Sequence, residues 1–326
     1  MSTSSSPTAA PIKVILDTDI GDDIDDALAL ALIVASPEFD LRGVTTVWGN
    51  TEARSRQART ELVIAGRPDV PVAAGCGLTI ASRVQTHEFS KLDKLPNQDG
   101  TCLPVAQLPK QDERHGVDFL IETIMAGAGD IIPITIGGLT NMAMALIKEP
   151  RLKAKIPRIV MMAAEFRHPF SEWNIRCDPE AAHLVFASGI PIDVTTWHIG
   201  NVAQFNKADL ARLAACQQPL AQYLYRAVAA WQAHGRRPGY EPMPSLFDPL
   251  AVATMLRPEL CTWKQGHVSI ELAGQETYGF STLKERADGK HRVAWDVDRD
   301  AALSWYLDRI CAFGSGTGSA SGKASA

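Results

Sequence analysis

The sequence predicts an α/β protein: a single domain built on a largely parallel twisted sheet flanked by helices. Three observations carry that reading. Short β-branched runs alternate with helical patterns, as strand–helix–strand units require. Polar residues gather where those runs end, which is where ligands sit in open parallel sheets. No linker-like shift in composition divides the 326 residues, and a chain of that length buries a sizeable core as one unit. The domain is expected over 11–313. The Ser/Ala/Pro-rich stretch 1–10 and the Gly/Ser/Ala run 314–326 read as disordered tails.

The strands expected in order are 13–16, 43–47, 131–136, 158–162 and 192–196. Each is a short apolar run with turn residues beyond it. Helical periodicity places helices at 26–35, 54–65, 141–147 and 179–187 between them. Beyond residue 200 the pattern is mostly helical, at 208–215 and 219–234. A hairpin of 266–272 with 293–297 and a last helix over 300–311 complete the domain.

Composition excludes several function classes. The chain is 46% hydrophobic and 21% charged with a net charge of −5, and it has no block of Lys and Arg, so a surface that tracks nucleic-acid phosphates is not expected. The first residues form no apolar signal segment, and no run approaches the roughly 20 apolar residues of a membrane span. A cytoplasmic protein without membrane or nucleic-acid partners is expected. The six cysteines are scattered with no C-x-x-C pair, so they read as free thiols in a reducing compartment.

The strongest chemical signal is Asp17-Thr-Asp-Ile-Gly-Asp-Asp-Ile-Asp-Asp-Ala27, which packs six aspartates where a buried strand ends and a helix begins. Carboxylates this close repel unless a cation neutralises them or some stay protonated. Hard oxygen ligands without His or thiolate favour Ca²⁺ or Mg²⁺ over Zn²⁺. Helix capping accounts for Asp25 or Asp26 but not for Asp17 and Asp19. An EF-hand fails, because its sixth and twelfth positions would be Asp22 and Leu28. A phosphoryl-transfer pair explains Asp17 and Asp19 and leaves Asp25 and Asp26 idle.

The stretch resembles the N-terminal signature of the nucleoside hydrolases, of the inosine-uridine-preferring type, with two extra residues before Asp25-Asp26. Four further motifs resemble that family in the same order: Trp48-Gly-Asn50, Gly137-Gly-Leu-Thr140-Asn141, Ser171-Glu-Trp-Asn174 and Ser245-Leu-Phe247-Asp248. The resemblance implies a Rossmann-like nucleoside hydrolase fold and a Ca²⁺ ion held by Asp19, Asp26, the Thr140 carbonyl and Asp248. It places Asp25, Asn50, Glu172, Trp173, Asn174 and Phe247 around the ribonucleoside. It also implies a homodimer or homotetramer and a role in purine/pyrimidine salvage.

The reaction implied is N-ribosyl hydrolysis to free base and ribose, with Asp19 activating a metal-bound water as general base. Each site residue also has a bland reading. Asp178-Pro179 reads as a helix cap, Thr140 or Asn141 suits a cap for the helix that follows, and Asn50 suits a turn. Many members carry His where this chain has Phe247, so the acid toward the departing base is unassigned. His198 is one candidate; His168, Glu165 and Tyr240 are others. His87, His115, His183, His267 and His291 read as surface or capped residues. The alternatives in function are a non-catalytic calcium-dependent ribonucleoside-binding protein and a Mg²⁺-dependent phosphohydrolase.

Overall fold

The structure, a computed structural model, describes residues 10–81 and 92–314. Both expected tails fall outside the described residues except for Ala10 and Gly314, and His87 lies outside them too.

The chain opens with β1 (Ile12–Thr18), α1 (Asp25–Val34), β2 (Phe39–Thr46), α2 (Thr51–Ile64) and β3 (Val72–Ala74). It continues through α3 (Gly116–Ala126), β4 (Ile132–Thr135), α4 (Thr140–Lys148), α5 (Leu152–Lys155) and β5 (Ile159–Met162). Next come α6 (Trp173–Cys177), α7 (Pro179–Ala187), β6 (Ile192–Thr195), α8 (Trp197–Val202), α9 (Lys207–Ala215) and α10 (Pro219–Gly235). The last elements are α11 (Phe247–Leu256), β7 (Cys261–Ile270), β8 (Ser281–Glu285), β9 (His291–Val297) and α12 (Arg299–Ala312).

One nine-stranded sheet runs in the order β3-β2-β1-β4-β5-β6-β9-β7-β8. Its strands are parallel as far as β9, and β7 pairs antiparallel with both β9 and β8. Successive strands step outward from β1 on one side through β2 and β3, and on the other through β4 to β6. The crevice between β1 and β4 is therefore a topological switch point, where open sheets of this kind bind ligands.

Helices cover both faces. Ile15 of β1 joins one apolar cluster, and its neighbours Val14 and Leu16 join the other. That alternation follows from the two-residue period of a strand. Helix α1 is apolar all round, with Ala27 to Leu32 fully buried, so it lies inside the helical layer rather than on the surface. Tyr306 of α12 donates a hydrogen bond to the Leu28 carbonyl from behind it (3.2 Å).

The expected strands and helices are present with ends shifted by a few residues. Short β3, β8, α3, α8 and α11 were not legible as separate elements. The expected hairpin of 266–272 with 293–297 is corrected: Gly266–Ile270 pairs with β8, while β9 pairs antiparallel with the earlier part of β7, from Cys261 to Gly266, and docks parallel on β6. The free-thiol expectation is corrected for two cysteines: Cys216, just after α9, is disulfide-bonded to Cys311 of α12. The partners are 95 residues apart in sequence, and only the packing of α9 on α12 brings their Cα atoms to 5.5 Å. Cys76, Cys102 and Cys261 are free thiols.

Candidate active site

At the carboxyl ends of β1, β4 and β5 lies a cavity of about 410 Å³. Asp19, Asp22, Asp23, Asp25, Asp26 and Asp248 form its acidic lining, with Glu172 and Asn174. Its aromatic lining is Trp173, Trp197, Trp231 and Phe247.

The acidic lining is built by short-range geometry and long-range packing together. Asp25 and Asp26 open α1, and Asp248 sits in the first turn of α11, which packs against α1. One carboxylate oxygen from each of these three lies within 4.8 Å of the others. All three are buried, and burial first, then mutual repulsion, pushes each carboxyl well above its ordinary range. The Thr18 hydroxyl donates to Asp26. Three converging hard oxygens that burial makes costly to ionise could hold a metal cation.

Asp19 lines the same cavity just beyond β1. Burial raises its carboxyl to about 6, with Arg54 opposing and Asp22 adding to the rise. A Cβ on Gly137 would stand 2.8 Å from an Asp19 carboxylate oxygen, so the glycine lets that carboxylate approach the end of β4. Asp17 lies behind the site: its Oδ1 accepts from Thr45 (2.6 Å) and Asn141 (2.8 Å), tying β1 to β2 and α4.

Arg54, which sequence reasoning passed over, organises the whole loop. This buried guanidinium donates to the carbonyls of Trp48 (2.7 Å), Ile20 (3.0 Å) and Asp19, and pairs with Asp22 at 2.7 Å. Asp22 thus has a structural role in the two-residue insertion, while Asp23 stands exposed at the rim. No local signal in the sequence pointed to it, because Arg54 reaches this loop only through the placement of α2.

Glu172 caps α6, accepting from the backbone amides of Asn174 (2.9 Å) and Ile175 (3.2 Å), and also from that of Ala164 (3.0 Å). Burial still lifts its carboxyl to about 7. Asn174 donates to the carbonyls of Ile136 (2.8 Å) and Met162 (3.0 Å), so one side chain joins the ends of β4 and β5. Trp173 stands half-exposed over the cavity, edge-on to Trp48 at 6.0 Å.

Three expected site residues are placed elsewhere. Thr140 does not line the cavity. It starts α4, its hydroxyl donates to Asp178 (2.7 Å), and its carbonyl belongs to the helical ladder. The residue that lines the cavity at this strand end is Ile136. Asn50 caps α2, accepting from Ala53 (3.0 Å), and lines a smaller adjoining cavity with Trp48, Asn97 and Trp173. His198 is also outside the cavity: its Nε2 lies 3.1 Å from an Arg167 nitrogen, and its neighbour Trp197 faces the cavity instead. Burial and Arg167 hold the His198 imidazole below its ordinary pKa. Asp178 caps α7 as expected, accepting from Ala181 (3.0 Å).

The aromatic lining depends on Gly200 of α8. Phe247 stacks on Trp197 with centroids 6.4 Å apart and planes at 25°. A Cβ on Gly200 would lie 2.1 Å from a Phe247 ring carbon. Gly200→Ala is expected to lower the unfolding free energy by about 1–3 kcal/mol, the usual cost of overpacking. It is also expected to raise KM for a substrate seated on that ring. Chemical denaturation and steady-state kinetics together check this; an unchanged Tm and KM would contradict the packing account.

Comparison with known proteins gives a consistent picture. Residues 14–304 match the sequence profile of the inosine-uridine preferring nucleoside hydrolases. The chain is 37% identical over 285 residues to an uncharacterized protein of Schizosaccharomyces pombe, covering 83% of this chain and 89% of that protein. It is 31% identical over 317 residues to the pyrimidine-specific ribonucleoside hydrolase RihA of Salmonella paratyphi A, covering 92% of this chain and 98% of that one. Among solved structures, a plant nucleoside hydrolase superposes with a TM-score of 0.80 at 27% identity, over 93% of this chain and 99% of that one.

Proposed function

Because this chain belongs to the inosine-uridine preferring nucleoside hydrolase family and is an N-ribosyl hydrolase, we propose that it is calcium-dependent and uses Asp19 as general base on ribonucleosides. The observation that carries the proposal is the convergence of Asp25, Asp26 and Asp248 in a cavity that aromatic side chains also line. That cavity matches a ribose with its base: hydroxyls toward the carboxylates, the flat ring toward Trp197, Trp231 and Phe247.

Asp19, Asp25, Asp26 and Asp248 would hold the ion, and Ile136 replaces Thr140 as the residue offering a strand-end carbonyl. A carbonyl oxygen has two lone pairs, so the Asn174 bond to Ile136 leaves one for this purpose. Calcium bound there supplies a Lewis acid that orients the ribose diol and makes water easier to deprotonate.

The protein groups then divide the work. Asp19, set at the cavity wall beside Gly137, takes the proton of the attacking water. Glu172 and Asn174 are fixed by backbone bonds and orient the ribose hydroxyls. Buried carboxylates around the sugar favour the positive charge that develops as the C1′–N bond breaks. The aromatic side chains among the described lining residues, Trp173, Trp197, Trp231 and Phe247, carry no titratable group, so they hold the leaving base by stacking rather than as a fixed protein acid.

A second prediction follows from two neighbouring hydroxyls reaching the ion. With 2′-deoxynucleosides, kcat/KM is expected to fall by about two orders of magnitude or more, the size of effect seen when a polar site loses its partner. The test incubates the protein with a panel of purine and pyrimidine nucleosides and measures reducing sugar, with and without chelator. Tight binding with no ribose released from any member would overturn the catalytic reading. Phosphate released from nucleotides instead would favour a phosphohydrolase, although among the described residues no Lys or Arg lines the cavity.

A further inference from the structure

A second cavity, of about 390 Å³, lies at the amino ends of β6 and β9, on the opposite side of the sheet from the catalytic cavity. It is nearly as large as that cavity and opposite in chemistry. His183, His267, His291 and Lys290 line it together with Phe186 and Ser269, and among the described residues no acidic one does. In a chain of net charge −5 such a lining is not what average composition would give.

The basic groups converge on a glycine. Lys290 Nζ donates to the Gly189 carbonyl at 2.9 Å. If Gly189 carried a Cβ, Lys153 Nζ would stand 3.3 Å and Lys290 Nζ 3.6 Å from it. Gly189 has φ +80°, a conformation that other residues rarely adopt, so the missing side chain is also a backbone requirement. Among the described residues neither ammonium is ion-paired with a carboxylate. Asp288, two residues before Lys290, is held by Arg286 through two hydrogen bonds of 2.8 and 3.0 Å.

His291 is structural within this group. It is buried, contrary to its reading as a surface or capped residue, and its Nδ1 accepts from the Val268 amide at 2.9 Å. Burial, helped by His267, lowers it to about 4, so it presents a neutral ring. The exposed donors that line the cavity are Lys290, His183 and His267; the exposed Lys153, which lines a neighbouring cavity, brings its ammonium to the same glycine.

We propose that this cavity binds a small phosphate monoester, its dianion seated between Lys153 and Lys290 over Gly189. Two point charges that share no carboxylate suit a compact dianion, since compact lysine ammoniums bind phosphate as point charges. The remaining volume, beside Phe186 and Ser269, takes the organic part of the ester. The site is separate from the hydrolytic one and does not depend on which nucleoside that one accepts.

The test is calorimetric titration of the calcium-loaded full chain with phenyl phosphate, a monoester without a sugar diol, and with inorganic phosphate. The wild type is expected to bind the ester more tightly than inorganic phosphate. The Lys153→Gln/Lys290→Gln double variant is expected to bind it at least tenfold more weakly, while hydrolysing ribonucleosides at the wild-type rate. No binding by the wild type, equal affinity in the double variant, or equal affinity for free phosphate would each overturn the proposal. A second variant, Gly189→Asp, places a carboxylate between the ammoniums and is expected to abolish ester binding on its own; normal folding is verified by circular dichroism.

Discussion

Asp19→Ala is expected to lower kcat by about three orders of magnitude or more while leaving the protein folded. General-base removal alone costs 10²- to 10⁴-fold, and Asp19 also faces the converging group of Asp25, Asp26 and Asp248 across one cavity. Its backbone does not depend on the carboxylate: Arg54 grips the Asp19 carbonyl, and Asp17 behind it holds β1 to β2 and α4. Removing one of several repelling buried carboxylates also relieves strain rather than adding it. The metal-free variant at neutral pH is therefore expected to melt no lower than the metal-free wild type. Single-turnover ribose release and thermal melts read the two effects separately. Wild-type turnover in the variant would reassign the base.

Removing the cation is expected to abolish turnover and to make stability depend on pH in an unusual direction. In the metal-free fold, burial lifts Asp17 and Glu172 to about 7 and Asp19 to about 6, against roughly 4 for carboxylates in an unfolded chain. The folded state therefore binds more protons than the unfolded state between about pH 4 and pH 7. These groups favour the fold fully below about pH 4, and that contribution is lost as pH rises through 6 and 7. The chelated protein is expected to melt progressively lower from pH 5 to pH 8. Calcium should restore the melting temperature most at pH 8, by about 2.7 kcal/mol of stability at a hundredfold excess over Kd. Differential scanning calorimetry across that range, with and without chelator, reads the sign directly. A melting temperature that rises with pH in the chelated protein, or full activity under chelation, would contradict the account.

Much of the scaffold was legible because its signals are local. The apolar runs of β1, β2, β4, β5 and β6 stand out against turn residues, and the aspartates 17–26 mark a strand end. β3 has three residues and β8 is half-exposed, so neither carries a periodic pattern long enough to read. The disulfide was illegible for a different reason, because its cysteines meet only through the packing of α9 on α12.

By itself the sequence determined the α/β class, the end of the sheet that would bear the site, and a cluster of hard oxygen ligands there. These follow from composition and from periods of two and 3.6 residues, which neighbours in the chain are enough to set. Only the tertiary structure decided which groups face the cavity. It put Trp197 there and turned His198 toward Arg167, seated Ile136 where Thr140 was expected, and spent Asn50 on capping α2. It also brought in Arg54 from α2 and Trp231 from α10, neither of which belongs to any motif at a strand end. Side-chain direction at a helix start changes by about 100° per residue. Strand order then sets which starts meet, so the aspartate cluster became a site only when β1 and β4 were laid side by side.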